Sequence, residues 1–201
     1  MNFKILFISI FIAIIYSCSK PGELNGNVDW KYNDLVGNKP DAGAQIRLFS
    51  IENPLADEPK YSHTTDINGN YKIENIEAGE YIIIANSKNT FSYPRTQIEN
   101  LRTHSKELVT IGINLSVDDL LFPLQNLTLL TDLSAEDPKE YQKHSEDLNK
   151  RISKLISDFP ESYKMKFGWT NGYNNSIYIK KIKIESGRSS IENIDFGFKN
   201  N

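Results

Sequence analysis

Asp66, Asn68, Asn70 and Glu77 stand at positions 1, 3, 5 and 12 of a calcium-loop spacing. Oxygen ligands at that spacing wrap a hard cation only when a glycine at position 6 lets the chain turn sharply between them. Here Gly69 falls at position 4, and position 6 is Tyr71. The spacing therefore fails as a metal loop. The same letters read better as an Asp-x-Asn-Gly turn leading into a strand, since Asn and Gly tolerate positive φ and the Asp side chain closes a local hydrogen bond.

Other groups able to do chemistry are scattered. Asp118 and Asp119 form an adjacent carboxylate pair, but acids opening a helix serve its free amides. His63, His104 and His144 show no ligand-like spacing with one another or with tyrosine. His144 falls on the apolar stripe of a helix, where a packed or half-buried ring is expected. The chain has no GxGxxG, Walker-type, GxSxG, HExxH or CxxC motif. No catalytic residue, metal ligand or cofactor is assigned.

The single cysteine, Cys18, has a more specific setting. One cation, Lys4, precedes an apolar run from Ile5 to Tyr16. Such a run is too short for a bilayer core of ~30 Å, which needs ~20 residues. It has the length of a signal-peptide core. Ser17–Cys18 then resembles the lipobox of bacterial lipoproteins, although Tyr16 is bulkier than the residue usual there. That resemblance implies cleavage before Cys18, attachment of lipid such as palmitate, and a membrane anchor. Two or more acyl chains hold firmly where one holds weakly.

Without residues 1–17 the 201-residue chain loses Lys4, and its formal charge falls from −3 to −4. Nucleic-acid binding calls for a basic surface, so no nucleic-acid partner is expected. With no second cysteine, no disulfide is available within the chain, and the hydrophobic core carries its stability.

The elements follow from period. "NGNVDWKY" alternates Val28, Trp30 and Tyr32 against polar neighbours, as a half-buried strand does. "LVGNKPDAGA" reads as a loop punctuated by glycine and proline, and "QIRLFSI" as a further strand. Tyr71 and Ile73 face one side of the next strand, with Lys72 and Glu74 on the other. Tyr81–Ala85 reads as a more deeply buried strand. Short strands between turn signals suggest a sandwich.

Across residues 26–86 the Gly-x-Val strand, the "PDAGA" turn, "TTDINGNY" and the Gly-x-Tyr strand resemble the carboxypeptidase regulatory-like domain. The resemblance implies a prealbumin-like (transthyretin-like) Greek-key β-sandwich of accessory character. It also implies two closing strands, which "IYIKKIKIESGRSSIENIDFGF" (177–198) supplies far downstream. Its apolar phase slips at Lys180–Lys181, where a bulge or strand start is expected.

The fold expected is mainly β with an inserted α-helical segment. Residues 1–17 form the signal peptide and 18–25 a lipidated linker. Residues 26–95 begin the sandwich, 96–172 form the insertion, and 173–201 close the sandwich. Within the insertion, residues 137–159 are the clearest helix: Asp137 caps it, Pro138 fits the first turn and Pro160 stops it. Tyr141, Leu148, Ile152, Leu155, Ile156 and Phe159 form its apolar stripe. Between residues 98 and 115 the pattern fits a strand or helices, with helices packing on the long one favoured.

The functional expectation is a membrane-anchored exported lipoprotein, acting as a non-catalytic binding or structural module of the cell envelope. The alternative is a hydrolase of exported substrates with its site in the insertion. Leu121, Leu124 and Leu127 in "LLFPLQNLTLL" are the candidate partner surface, because uncharged apolar excess marks contact sites. Trp30 and Tyr32 form a weaker candidate platform for stacking a ligand. The partners expected are the membrane, through the lipid, and an envelope protein or glycan, with the outer membrane as the location.

Overall fold

The computed structural model describes residues 20–53, 58–92, 94–114, 137–158, 163, 166–167 and 175–198. Cys18, Asp118, Asp119, Leu115, Leu121, Leu124, Leu127 and Phe159 lie outside them, as do the side chains of Ile98, Leu148, Ile152, Leu155 and Ile156. The described elements are β1 Gly22–Asn33, β2 Gly37–Pro40, β3 Gln45–Ser50, β4 Tyr61–Thr64, β5 Asn70–Ile76, β6 Gly79–Phe91, α1 Pro94–Thr103, α2 Ser105–Thr110, α3 Pro138–Ser157, β7 Asn175–Ile184, β8 Ser189–Ile191 and β9 Ile194–Phe198.

Among the described residues nine strands make two sheets, with the chain passing between them more than once. In the first, β1 is central: β2 and β5 pair with it antiparallel, and β8 and β9 pair with it in parallel. The second runs β4-β3-β6-β7, antiparallel throughout. The fold is mainly β, a two-sheet sandwich with helices added.

Two cores explain the sequence pattern. Between the sheets lie Leu24, Val28, Ile46, Leu48, Tyr71, Ile73, Tyr81, Ile83, Ile184 and Ile194. Outside the second sheet, Ile82, Ile84, Ile177 and Ile179 pack against Leu101, Leu108, Ile111 and Phe167. β6 is therefore covered on both faces, which is why it reads as an unbroken apolar run rather than an alternation. The outer face of β1 has no such cover, and its alternation survives.

Several boundaries differ from expectation. β1 begins at Gly22, inside the stretch expected as linker, because Leu24 enters the sandwich core. The expected loop 35–44 contains β2, which returns along the end of β1. In β5 the alternation breaks at Asn75, which takes φ +59 so that Ile76 regains the core.

Neither a bulge nor a strand start occurs at Lys180–Lys181, since β7 runs from Asn175 to Ile184. The β6–β7 register runs unbroken from Gly79–Ile184 to Asn86–Ile177, and shifts only between Asn86 and Phe91. The phase slip has another cause. Ile177 and Ile179 face the helices, whereas Ile182 and Ile184 face the opposite sheet. One strand serves two cores from its two faces.

The ambiguous stretch after residue 98 is helical through Thr110, and Gly112 at φ +79 then turns the chain. α1 packs on α3, as expected of the insertion. Asp137 caps α3, its Oδ1 accepting the Lys139 and Glu140 amides at 2.9 and 3.2 Å. Tyr141 and His144, however, are exposed. A helical stripe is buried only where another element lies over it, and almost all of residues 138–147 face solvent.

Candidate functional site

The end of β1 carries the residues singled out as a stacking platform. Trp30 and Tyr32 share the inward phase of the strand, but the core ends between them. Trp30 is 8% exposed and donates its indole N–H to the Pro40 carbonyl at 3.3 Å. Tyr32 is 48% exposed and meets Trp30 edge to face, with centroids 5.9 Å apart. The pair is not a flat joint platform: Trp30 is core, and Tyr32 alone reaches solvent.

Beyond Tyr32, the hairpin tip has features the sequence reading missed. Asn33 Oδ1 accepts the Leu35 and Val36 amides at 3.0 and 2.7 Å, and Gly37 takes φ +74. The turn is thus fixed by its own side chain. It holds Leu35 almost wholly in solvent, 97% exposed, beside an exposed Val36. Lys39 Nζ lies 5.2 Å from the Tyr32 ring centroid, and Lys31 Nζ 4.7 Å from that of the exposed Phe198. Each cation–π contact at such a surface is worth ~0.5–1 kcal/mol. The result is an ordered apolar tip backed by two lysines. The signal available in sequence was a Leu–Val pair where a turn ordinarily carries polar residues.

A second feature lies on the outer side of β3 and β4. Arg47 is buried, and its Nη2 donates to Asn86 Oδ1. Asn86 Nδ2 donates in turn to the Phe167 carbonyl, tying the sheet to the helical segment. Burial pulls the guanidinium down to about 10, with the charge of Glu58 opposing the shift. Glu58, Ser62, His63 and Thr64 join Arg47 around an open recess of about 440 Å³. Ser62 and His63 are neighbours in one strand, so their side chains leave opposite faces. They do not form a nucleophile–base pair.

The carboxylates that could have served a metal are spent on the fold. Asp66 Oδ1 accepts the Asn68 and Asn70 amides at 2.8 and 2.9 Å. Those bonds, the Asn70 amide first, hold its carboxyl below the usual range. Glu77 sits beyond the far end of β5, ~20 Å away at ~3.3 Å per residue, and pairs with Lys60 at 2.8 Å. Asp41 is fully buried: it accepts the Ser87 hydroxyl, the Lys88 amide at 3.1 Å and the Asn89 amide group at 2.6 Å. Among the described residues no three His, Cys, Asp or Glu side chains come together in a way that could hold a metal. His63, His104 and His144 lie on or between β4, α1–α2 and α3.

Glu192, unremarked in the sequence, closes one side of the sandwich. Its carboxylate accepts Tyr178 Oη at 2.6 Å and Lys180 Nζ at 2.8 and 2.9 Å. Its main-chain carbonyl accepts Tyr71 Oη at 2.7 Å. Burial is the main cause that pushes the Tyr71, Tyr81 and Tyr178 phenols well above the ordinary value.

No family model and no curated protein matches the chain. Among solved structures, the chain is similar to a minor pilin of Streptococcus agalactiae at 12% identity and a TM-score of 0.33. That match covers 88% of this chain and 44% of the pilin, so the chain spans under half of the pilin's length. It is also similar to a candidate carbohydrate-binding protein of Pseudomonas aeruginosa, at 10% identity and a TM-score of 0.34, covering 91% of this chain and 95% of that one. Likenesses this distant do not assign a function.

Proposed function

We propose that the protein is an exported lipoprotein, acylated at Cys18, and that its sandwich is a non-catalytic binding or structural module of the bacterial cell envelope. One observation carries the reading: the only cysteine follows a short N-terminal apolar run and stands two residues before Lys20, whose carbonyl is already held by the Gly187 amide and the Ser186 hydroxyl. An anchor there would meet a folded body almost at once.

The domain reading is a divergent prealbumin-like sandwich, with residues 26–95 and 173–201 forming the body and 96–172 inserted. Its supporting residues are those of the regulatory-like resemblance. Asp66, Gly69 and Tyr71 all serve turns and strand contacts, as an accessory domain's motif would. For partners we propose an envelope protein or glycan, met by the inserted segment through Leu121, Leu124 and Leu127. The ordered Leu35–Val36 tip is a second contact surface of the same module. The outer membrane is the proposed location.

The test is metabolic labelling with a fatty acid. Label should enter the wild-type chain and be absent from Cys18→Ala. Equal labelling of both would overturn the anchor.

A further inference from the structure

We infer that the end of the sandwich built by Lys20, Pro21 and the β7–β8 turn faces the lipid headgroups of the anchoring membrane, so that β1 stands the Leu35–Val36 tip away from it. This inference rests on the acylation of Cys18 proposed above. Its own basis is how tightly the chain is held immediately afterwards.

The Lys20 carbonyl accepts the Gly187 amide at 2.9 Å and the Ser186 hydroxyl at 3.0 Å. Three residues on, the Glu23 amide donates to the Arg188 carbonyl at 3.0 Å. Gly22 between them is wedged: a Cβ there would lie 2.7 Å from the Glu185 carbonyl oxygen and from Ile184 Cγ2. The β7–β8 turn is itself fixed, with Gly187 at φ +67. The chain is held from Lys20 onward.

Two Cα steps separate Lys20 from Cys18, a span of at most ~8 Å. A flexible linker of twenty residues would instead have a root-mean-square reach of ~25 Å and allow free tumbling. With so short a tether, the turn end of the body must lie at the level of the headgroups.

The chemistry of that end fits such a neighbour. Glu23, Glu74, Asn75, Arg188 and Ser189 line an open polar recess of about 400 Å³ there. Its charges are largely matched internally: Lys72 pairs with Glu23 at 3.3 Å and Glu74 at 2.5 Å, and Arg188 with Glu185 at 2.5 Å. A polar, charge-balanced surface suits the headgroup zone rather than the acyl interior. It also makes the tether, not a charge field, the source of orientation. The contact should therefore survive high salt, which screens surface charge.

The opposite end is set by β1, which runs 12 residues without leaving the sheet. At ~3.3 Å per residue, Asn33 lies at most ~36 Å from Gly22, the register shifts along β1 shortening the span. The apolar tip thus stands clear of the anchoring bilayer, where a partner can reach it.

The experiment uses the full acylated chain in vesicles whose lipid headgroups carry a quencher. Acylation blocks the one native thiol, so a fluorophore can be placed on a single new cysteine, Arg188→Cys or Leu35→Cys. The label at 188 should be strongly quenched at low and high salt, and the label at 35 hardly at all. Inserting twenty Gly/Ser residues between Ser19 and Lys20 should abolish the contrast. Equal quenching at both positions, in a chain whose acylation is confirmed by mass, would overturn the orientation and leave the anchor standing. A chain without the fatty-acid mass would overturn both.

Discussion

Tyr71 Oη donates to the main-chain carbonyl of Glu192 at 2.7 Å, joining β5 to a residue 121 positions downstream. The same carbonyl lies where a Cβ on Gly26 would come within 1.9 Å of it. The C-terminal segment is therefore pressed onto β1 and latched by one phenol. Tyr71→Phe removes the latch without changing shape, and a lost hydrogen bond of this kind costs ~1 kcal/mol. In a domain of this size the melting temperature should fall by ~2–4 °C. Gly26→Ala forces backbone apart and should cost more, ~1–3 kcal/mol by analogy with overpacking. Thermal melts of the two variants, ranked in the reverse order, would show that the close approach is not a constraint.

The buried phenols also give a pH signature. Tyr71, Tyr81 and Tyr178 all have folded-state values raised above the ordinary one, chiefly by burial. A raised value means that the folded state favours the protonated form. Their contribution is thus fully present below the unfolded pKa of ~10 and is lost as pH rises beyond it. Stability should be flat across neutral pH and fall above about pH 10, with part of the tyrosinate absorbance appearing only as the protein unfolds. A smooth titration of all the tyrosines at the ordinary value in folded protein would contradict this.

Asp29 gives the opposite experiment in acid. It pairs with Asp195 across the parallel β1–β9 register, and burial followed by repulsion from Asp195 raises its carboxyl above the ordinary value. For an acid with a raised folded value, the ionised form is the strained one, so stability is lost as pH rises through it. Asp195→Asn should therefore raise the unfolding midpoint at pH 7, and the gain should vanish below about pH 4. A gain that persists undiminished in acid would mean that the relief is not electrostatic.

Asp41 is the buried carboxylate on which the β2–β3 turn depends. It binds three donors of the segment 87–89, while its carbonyl accepts the Thr65 hydroxyl at 2.5 Å. Asp41→Ala leaves those donors without their acceptor. An unsatisfied buried polar group costs ~1–3 kcal/mol, so urea unfolding should show a loss at the upper end of that range or beyond. A loss under 1 kcal/mol would mean that water replaces the carboxylate without penalty.

What could be read from sequence was local, and what escaped it was long-range. Tyr71 and Ile73 were legible as a strand face because period 2 and the Asp66–Gly69 turn are written in adjacent letters. The Asp137 cap was legible for the same reason. The slip at Lys180–Lys181 was visible but misread as a bulge or a strand start, since nothing local tells that Ile177 faces helices and Ile182 a second sheet. Tyr141 and His144 kept helical spacing, yet the period cannot say where the covering element stops. Trp30 and Tyr32 look equivalent in sequence, although the core ends between them. Glu192 had no signal at all: its partners Tyr178 and Tyr71 are 14 and 121 residues away.

The strongest dependence of the fold is on its last strands. Deleting residues 176–201 removes all but one residue of β7, together with β8 and β9. β6 would keep β3 but lose β7 along its other edge, and β1 would lose both parallel neighbours. Ile177 and Ile179 would leave the helix-side core, and Ile184, Ile194 and Phe196 the core between the sheets. Large-to-small changes at such positions cost ~2–5 kcal/mol each, so five losses match or exceed the ~5–15 kcal/mol of a whole domain. The exposed β6 ladder would also invite aggregation. The truncated chain should show no cooperative melt, although the cut is remote in sequence from the strands of residues 22–91. A truncated protein with an undisturbed transition would mean that the first seventy residues of the sandwich hold their structure without the strands that pair with them.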